Sequence, residues 1–463
     1  MTDALHFKTI RELATLLRTR EVSPVELAEL SLARLDNAGR SLNAVVTLTD
    51  KRAMRQAHAA EAEIAAGNYR GPLHGIPYGA KDLLATSDGI PTSWGAAPLR
   101  DQTFAHDATV VRKLEEAGAV LCAKLSMVEL AGGMGYRQPN ASFSGPGVNP
   151  WNREHWTGGS SSGAGSAVAA GLVPFAIGSE TWGSIVGPSS NCGLSGLRPT
   201  YGRVSRRGVM ALSWTLDKLG PLARSADDCG LVLDAIAGAD VADPTASDRP
   251  YTYDASDATR RLRIGVFRDV AANAEDAVRA AFEQALDVLR GFADVVEIDL
   301  PDLPYRAVTQ TIFQAEATSA FEDFLREGKQ HELTAPEVVY QPLARFAIPA
   351  TDYIRALRLR GVIARRVGEL IQGFDAIAAP TRSLVAPAIE GEFVAAQAGD
   401  NMGAIGNGVG LPAISVHNGF APGELPTGMQ LMAGAYQENA VLAVARAYQA
   451  RTDWHTLHPA EFA

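Results

Sequence analysis

Residues 158–185 read "GGSSSGAGSAVAAGLVPFAIGSETWGSI". The glycine- and serine-rich part, "TGGSSSGAGSA" at 157–167, passes directly into an apolar run and then into a second turn around Ser184. A flexible linker would join two separable cores, whereas apolar α/β segments continue on both sides here. A phosphate cradle is better motivated, because a glycine-rich turn opening a helix presents free N–H groups. Neither a Gly-Lys-Ser/Thr ending nor a complete G-x-G-x-x-G is present, however. "GSSSG" at 159–163 satisfies G-x-S-x-G with Ser161 at its centre, yet the preceding "NPWNREHWTG" contains Pro150 and lacks the strand that a nucleophile elbow needs. The run from Ala167 to Gly178 is interrupted by Pro174 and falls short of the roughly 20 residues needed to cross a bilayer. It reads as a core segment.

Outward from this stretch, helical and strand patterns alternate. "DATVVRKLEEAGAVLCAKL" from Asp107 has helix period and then a buried-strand run, and "RLRIGVFRD" precedes the helical "AEDAVRAAFEQALDVLRGF" and the strand "ADVVEIDL". Residues 304–372 read as mostly helical, and strands return in "FDAIAAP", "PAISVH" and "GMQLMA" before a last helix, "ENAVLAVARAYQA". Near the start, Ser23 as N-cap, Pro24 at the first helical position and Glu26 form a capping-box signal. A third helix is expected from Asp50, whose side chain can cap, to Gly67. The alternation predicts an α/β fold: one large domain with a central mixed, largely parallel β-sheet covered by helices on both faces.

The 463 residues are 46% hydrophobic and 20% charged, as in a globular protein with a sizeable core. A formal net charge of −10 gives no electrostatic footprint for nucleic acid or an anionic membrane, so neither partner is expected. Cys122, Cys192 and Cys229 have no metal-ligand spacing and fit reduced, buried thiols of a cytoplasmic protein. "MTDALHFKTIRELATLLRTR" lacks the apolar core of a signal peptide and reads as an amphipathic helix. No cofactor and no metal are expected, and a homodimer is compatible with the composition.

Two neighbouring segments give the opening stretch its chemistry. "GPLHGIPYGAKD" sets Lys81 among apolar and glycine residues, where desolvation would lower its pKa and leave part of it neutral and basic. "GSETWGSIVGPSSNCG" sets Ser184 after a tight turn able to offer several N–H groups to one oxygen. Together with "CGLSGLRPTYGRVSRRGV", these segments resemble the amidase signature family, strongly from Gly71 to Val232 and more loosely in "GFDAIAAPT" and "GLPAISVHNGF". The resemblance implies a Ser-Ser-Lys triad with Ser184 as nucleophile, Ser160 in a cis peptide as relay and Lys81 as general base. It implies an oxyanion hole from the backbone N–H groups of Thr181, Trp182, Gly183 and Ser184. Ser161 is expected to position Lys81 or the Ser160 backbone, with a plain helix-cap role as the alternative. On this reading 1–70 is helical support, 71–232 the signature core, 240–372 a mostly helical substrate-facing insert, and 373–463 the strands and helix that complete the sheet.

Many members carry an arginine two or three residues after the nucleophile, and here Val186 and Gly187 stand in those places. The missing cation, and Trp182 as a candidate pocket wall, point to a small neutral substrate. The expected activity is therefore a serine hydrolase cleaving small neutral carboxamides or aryl amides, extending to esters and carbamates. The alternative is the glutamine-hydrolysing subunit of a tRNA-dependent amidotransferase, which shares the same signature.

Overall fold

The apolar run after the glycine-serine turn folds as a helix, Ser162–Ala169, followed by a strand, Phe175–Glu180. A computed structural model describes residues 2–136, 138–335, 339–391 and 401–463. Its strands are β1 (Val45–Leu48), β2 (Pro77–Lys81), β3 (Val120–Leu125), β4 (Phe175–Glu180), β5 (Ser195–Arg198) and β6 (Lys218–Ala223). They continue with β7 (Leu262–Phe267), β8 (Ala293–Ile298), β9 (Ala376–Pro380), β10 (Ala413–Ala421) and β11 (Leu425–Met432). All eleven form one sheet in the order β1-β3-β2-β4-β6-β5-β10-β11-β9-β7-β8.

The sheet is mixed, as expected, but its parallel part is smaller than expected. Parallel pairing is confined to β2 with β3 and β4, and β7 with β8 and β9. The other six neighbouring pairs are antiparallel. One reason is connection length: the few residues between β10 and β11 cannot make a crossover, so that pair must be a hairpin. The segment 240–372, read as mostly helical, contributes β7 and β8, and the first 70 residues contribute β1.

Side chains alternate between two cores across the sheet. Phe175 and Ile177 belong to one apolar cluster, and Ala176 between them belongs to the other, so both faces are covered. The helix Ser162–Ala169 packs Ala164, Ala167 and Val168 into the second cluster beside Ala176. Gly163 lets it seat: a Cβ there would lie 2.4 Å from the Ala44 carbonyl oxygen and 2.5 Å from the Ser126 nitrogen.

At the N-terminal end, the capping box of Ser23 and Glu26 forms in both directions at the helix Pro24–Arg34. The next helix, Asp50–Ala65, departs from expectation because Asp50 is its first residue and Thr49 holds the cap position without a side-chain cap bond. The Thr49 hydroxyl instead donates to the Leu121 carbonyl at 2.7 Å, tying the helix start to β3. The three cysteines are free and buried. No helix among the described residues is long and apolar enough to cross a membrane.

Candidate active site

β2 and β4 are parallel neighbours in which Ala80 faces Ile177, so their C-terminal ends emerge at the same edge of the sheet. Such an edge is where open α/β sheets place ligands. β2 ends on Lys81, and β4 ends on Glu180, directly before the turn that carries Ser184.

Lys81 is fully buried, at 0% exposure. Its Nζ donates to Ser160 Oγ at 2.7 Å and to Ser179 Oγ at 2.9 Å. Burial pulls its pKa down to about 7, against the opposing pull of the Asp217 and Glu180 carboxylates. A large fraction of this amine is therefore neutral near pH 7, which general-base chemistry requires. The Gly159–Ser160 peptide is cis. Ser161 stands at the N-cap of Ser162–Ala169 but makes no cap bond, and its hydroxyl donates to the Ser179 carbonyl at 3.3 Å. It thus holds the residue that also receives Lys81.

The turn after β4 is fastened from beneath. The Glu180 carboxylate accepts from the Ile185 and Val186 N–H groups at 2.8 and 3.0 Å and pairs with Arg198 at 2.8 Å. Burial pushes its pKa up, but Arg198 and Lys218 outweigh that and hold it down at about 2. The Thr181 hydroxyl donates to Asp217 at 2.5 Å, and Asp217 also accepts from the N–H groups of Leu212 and Ser213. Gly183 has φ +83°, a conformation that costs glycine little. Among the described residues, no backbone acceptor takes the N–H groups of Thr181, Gly183 and Ser184.

Ser184 is 8% exposed and opens onto a cavity of about 250 Å³ whose walls include Trp182, Tyr136, Gly159 and Phe313. Among the described residues Lys81 and Ser160 are joined by a hydrogen bond, whereas Ser160 and Ser184 are not. The structure therefore brings Lys81, Ser160, Ser161, Thr181, Trp182, Gly183 and Ser184 to one sheet edge. Sequence reasoning missed Ser179, Glu180 and Asp217. Ser179 had a signal, a serine at every-second-residue spacing from Phe175 and Ile177 in an apolar strand.

The family model described as Amidase matches residues 26–442. This chain belongs to the amidase family. The amidase-family chain is 38% identical to the A subunit of glutamyl-tRNA(Gln) amidotransferase from Roseiflexus sp. (strain RS-1), over 98% of each chain. It is 36% identical to the protein of that name from Methylococcus capsulatus, over 99% of this chain and 100% of the relative. A solved chain from a vestigial protein complex that reveals the evolutionary origins of an s-triazine catabolic enzyme superposes with a TM-score of 0.88 at 32% identity, over 96% of this chain and 98% of that one. Enzymes of the family act on C–N bonds.

The relatives overturn the reading of a hydrolase for small neutral amides that meets no nucleic acid. Over nearly their whole length they carry the name of one component of an enzyme named for a tRNA, which was the alternative reading. The expectation had relied on the missing arginine within three residues of Ser184. In the fold, Arg382 arrives from the end of β9: its Nη1 lies 3.6 Å from where a Cβ of Gly187 would stand. A cation lost from the local sequence is present in space.

Proposed function

We propose that this chain is the amide-hydrolysing component of a tRNA-linked amidotransferase, releasing ammonia from glutamine for a partner protein to transfer. The observation that carries the reading is full-length similarity, at 36 to 38% identity, to proteins named as the A subunit of such an enzyme. The buried Lys81–Ser160 pair supports the chemistry.

In this reading neutral Lys81 accepts a proton from Ser160 as Ser160 takes one from Ser184, and Ser184 Oγ bonds to the carboxamide carbon. The N–H groups of Thr181, Trp182, Gly183 and Ser184 hold the oxyanion. The Lys81 ammonium returns its proton through Ser160 to the nitrogen, the C–N bond breaks, and ammonia leaves. Water then cleaves the acyl ester on Ser184, giving glutamate and restoring the serine. Ser161 and Ser179 keep the lysine in line, and Trp182 walls the acyl side.

The test is ammonia release from glutamine by the purified chain, alone and with glutamyl-tRNA and the partner protein. Wild type is expected to release ammonia, faster with the partner present, and Ser184→Ala to lose both turnover and labelling by a serine-directed phosphonate. Labelling that persists in Ser184→Ala, or glutamine left intact in the complete mixture, overturns the reading.

A further inference from the structure

A cluster of basic side chains lies at the opposite edge of the sheet from Ser184. β6 starts at Lys218, whose Nζ donates to the Thr181 carbonyl at 3.4 Å, and ends at Ala223. Arg224, the next residue, is therefore about 20 Å along the strand from Lys218. An open cleft of about 350 Å³ is lined there by Arg224, Lys8, His455 and His458, which come from three separate parts of the chain. Glu12 is the one acidic side chain in the described lining, and Ala463 also reaches the cleft.

Arg224 is 7% exposed and forms no ion pair among the described residues. Its Nη2 donates to the Thr456 carbonyl at 3.2 Å, and its guanidinium lies 4.8 Å from the centre of the Phe7 ring, but its Nε and Nη1 donate to no described residue. Burial lowers its pKa to about 10 against the pull of Asp228 and Glu12. Both of those carboxylates are engaged elsewhere. Asp228 accepts from the Ile10 N–H at 2.9 Å, and Glu12 accepts from the Thr9 N–H and hydroxyl at 2.8 Å each. His455 and His458 form no side-chain hydrogen bond among the described residues, and the Nδ1 of each is buried. Enclosed donors left without acceptors cost free energy that a bound anion relieves.

We propose that this cleft binds a phosphate group, either free phosphate or the end of a small phosphomonoester. A planar carboxylate would satisfy the guanidinium fork alone, whereas a tetrahedral oxyanion offers oxygens to the fork and to the donors on the other walls at once. The group must be terminal, because Arg224 is too enclosed to meet a phosphodiester flanked on both sides by sugars. Bound there, the phosphate would tie together the chain segments that carry Lys8, Arg224 and His455, and so stabilise the fold without touching Ser184. The inference rests neither on the nucleophile nor on the proposed amide.

The experiment is calorimetric titration of the purified full chain with inorganic phosphate and with glycerol 3-phosphate, at ionic strength held constant with sodium chloride. Wild type is expected to bind saturably, one phosphate per chain, and to unfold at a higher temperature when phosphate is present. Arg224→Gln should weaken the binding by about tenfold or more, the loss that a charge-assisted contact carries, and Arg224→Lys should keep part of it. The thermal transition of each variant without phosphate is the fold check. If Arg224→Gln does not fold, the chain carrying both Lys8→Gln and His455→Gln, which leaves Arg224 in place, should show the weakening instead. Tighter binding of glycerol 3-phosphate identifies a monoester as the ligand, and tighter binding of inorganic phosphate identifies the free ion; either supports the site. No saturable binding of either probe by wild type, or an affinity unchanged in the folded variants, overturns the proposal.

Discussion

In the proposed mechanism the environment of Lys81 sets the pH at which the site works. With a pKa lowered to about 7 by burial, the amine gains its basic form as pH rises, so kcat/KM should climb through about pH 7 and then level. A pH–rate profile on any turned-over amide checks this. Lys81→Arg should be inactive at every pH, because a guanidinium does not give up its proton in this range. The same group should make stability depend on pH. The unfolded chain binds this proton up to the ordinary value of 10.5 and the folded one only below about 7, so folding stability rises with pH between the two. Lys81→Met should remove that share of the rise in urea unfolding compared at pH 7 and 9. That Lys81, Ser160 and Ser184 come together was legible because each sits in a local pattern of small residues that carries the family resemblance. Arg382 was not, since nothing near it in sequence indicates that it meets Gly187.

Among the elements, the turn after β4 depends on the ion pair beneath it. Glu180→Gln would leave Arg198 buried without its counter-charge, because the amide oxygen can keep accepting from the Ile185 and Val186 N–H groups only with its NH2 turned toward the guanidinium. A loss of about 3 to 5 kcal/mol in equilibrium unfolding is expected, with labelling of Ser184 impaired. Ser23→Ala removes a cap far from the site and should cost about 1 kcal/mol without changing the labelling rate. Helices with capping signals and strands such as β3 and β4 could be read in advance because their periodicity is unmixed. β5 and β6 could not: "SGLR" and "KLGPLA" contain glycine or proline, which argue against strands until their antiparallel neighbours are known.

At the scale of the whole molecule, the sheet does not follow chain order. β10 pairs with β5, and β9 with β7, so the three most C-terminal strands among the described residues fill the middle of the sheet and join its two halves. A chain ending at residue 372 would leave β5 and β7 with open edges and would lack Arg382. It should aggregate or be degraded, and its soluble fraction should not label at Ser184. Synthesis on the ribosome then has a built-in order: a nascent chain can hold Lys81, Ser160 and Ser184 long before it can assemble them between complete sheet halves. Hydrolytic competence would arrive only after β9, β10 and β11 have been made, so fragments that stop before them would not consume the cell's amides.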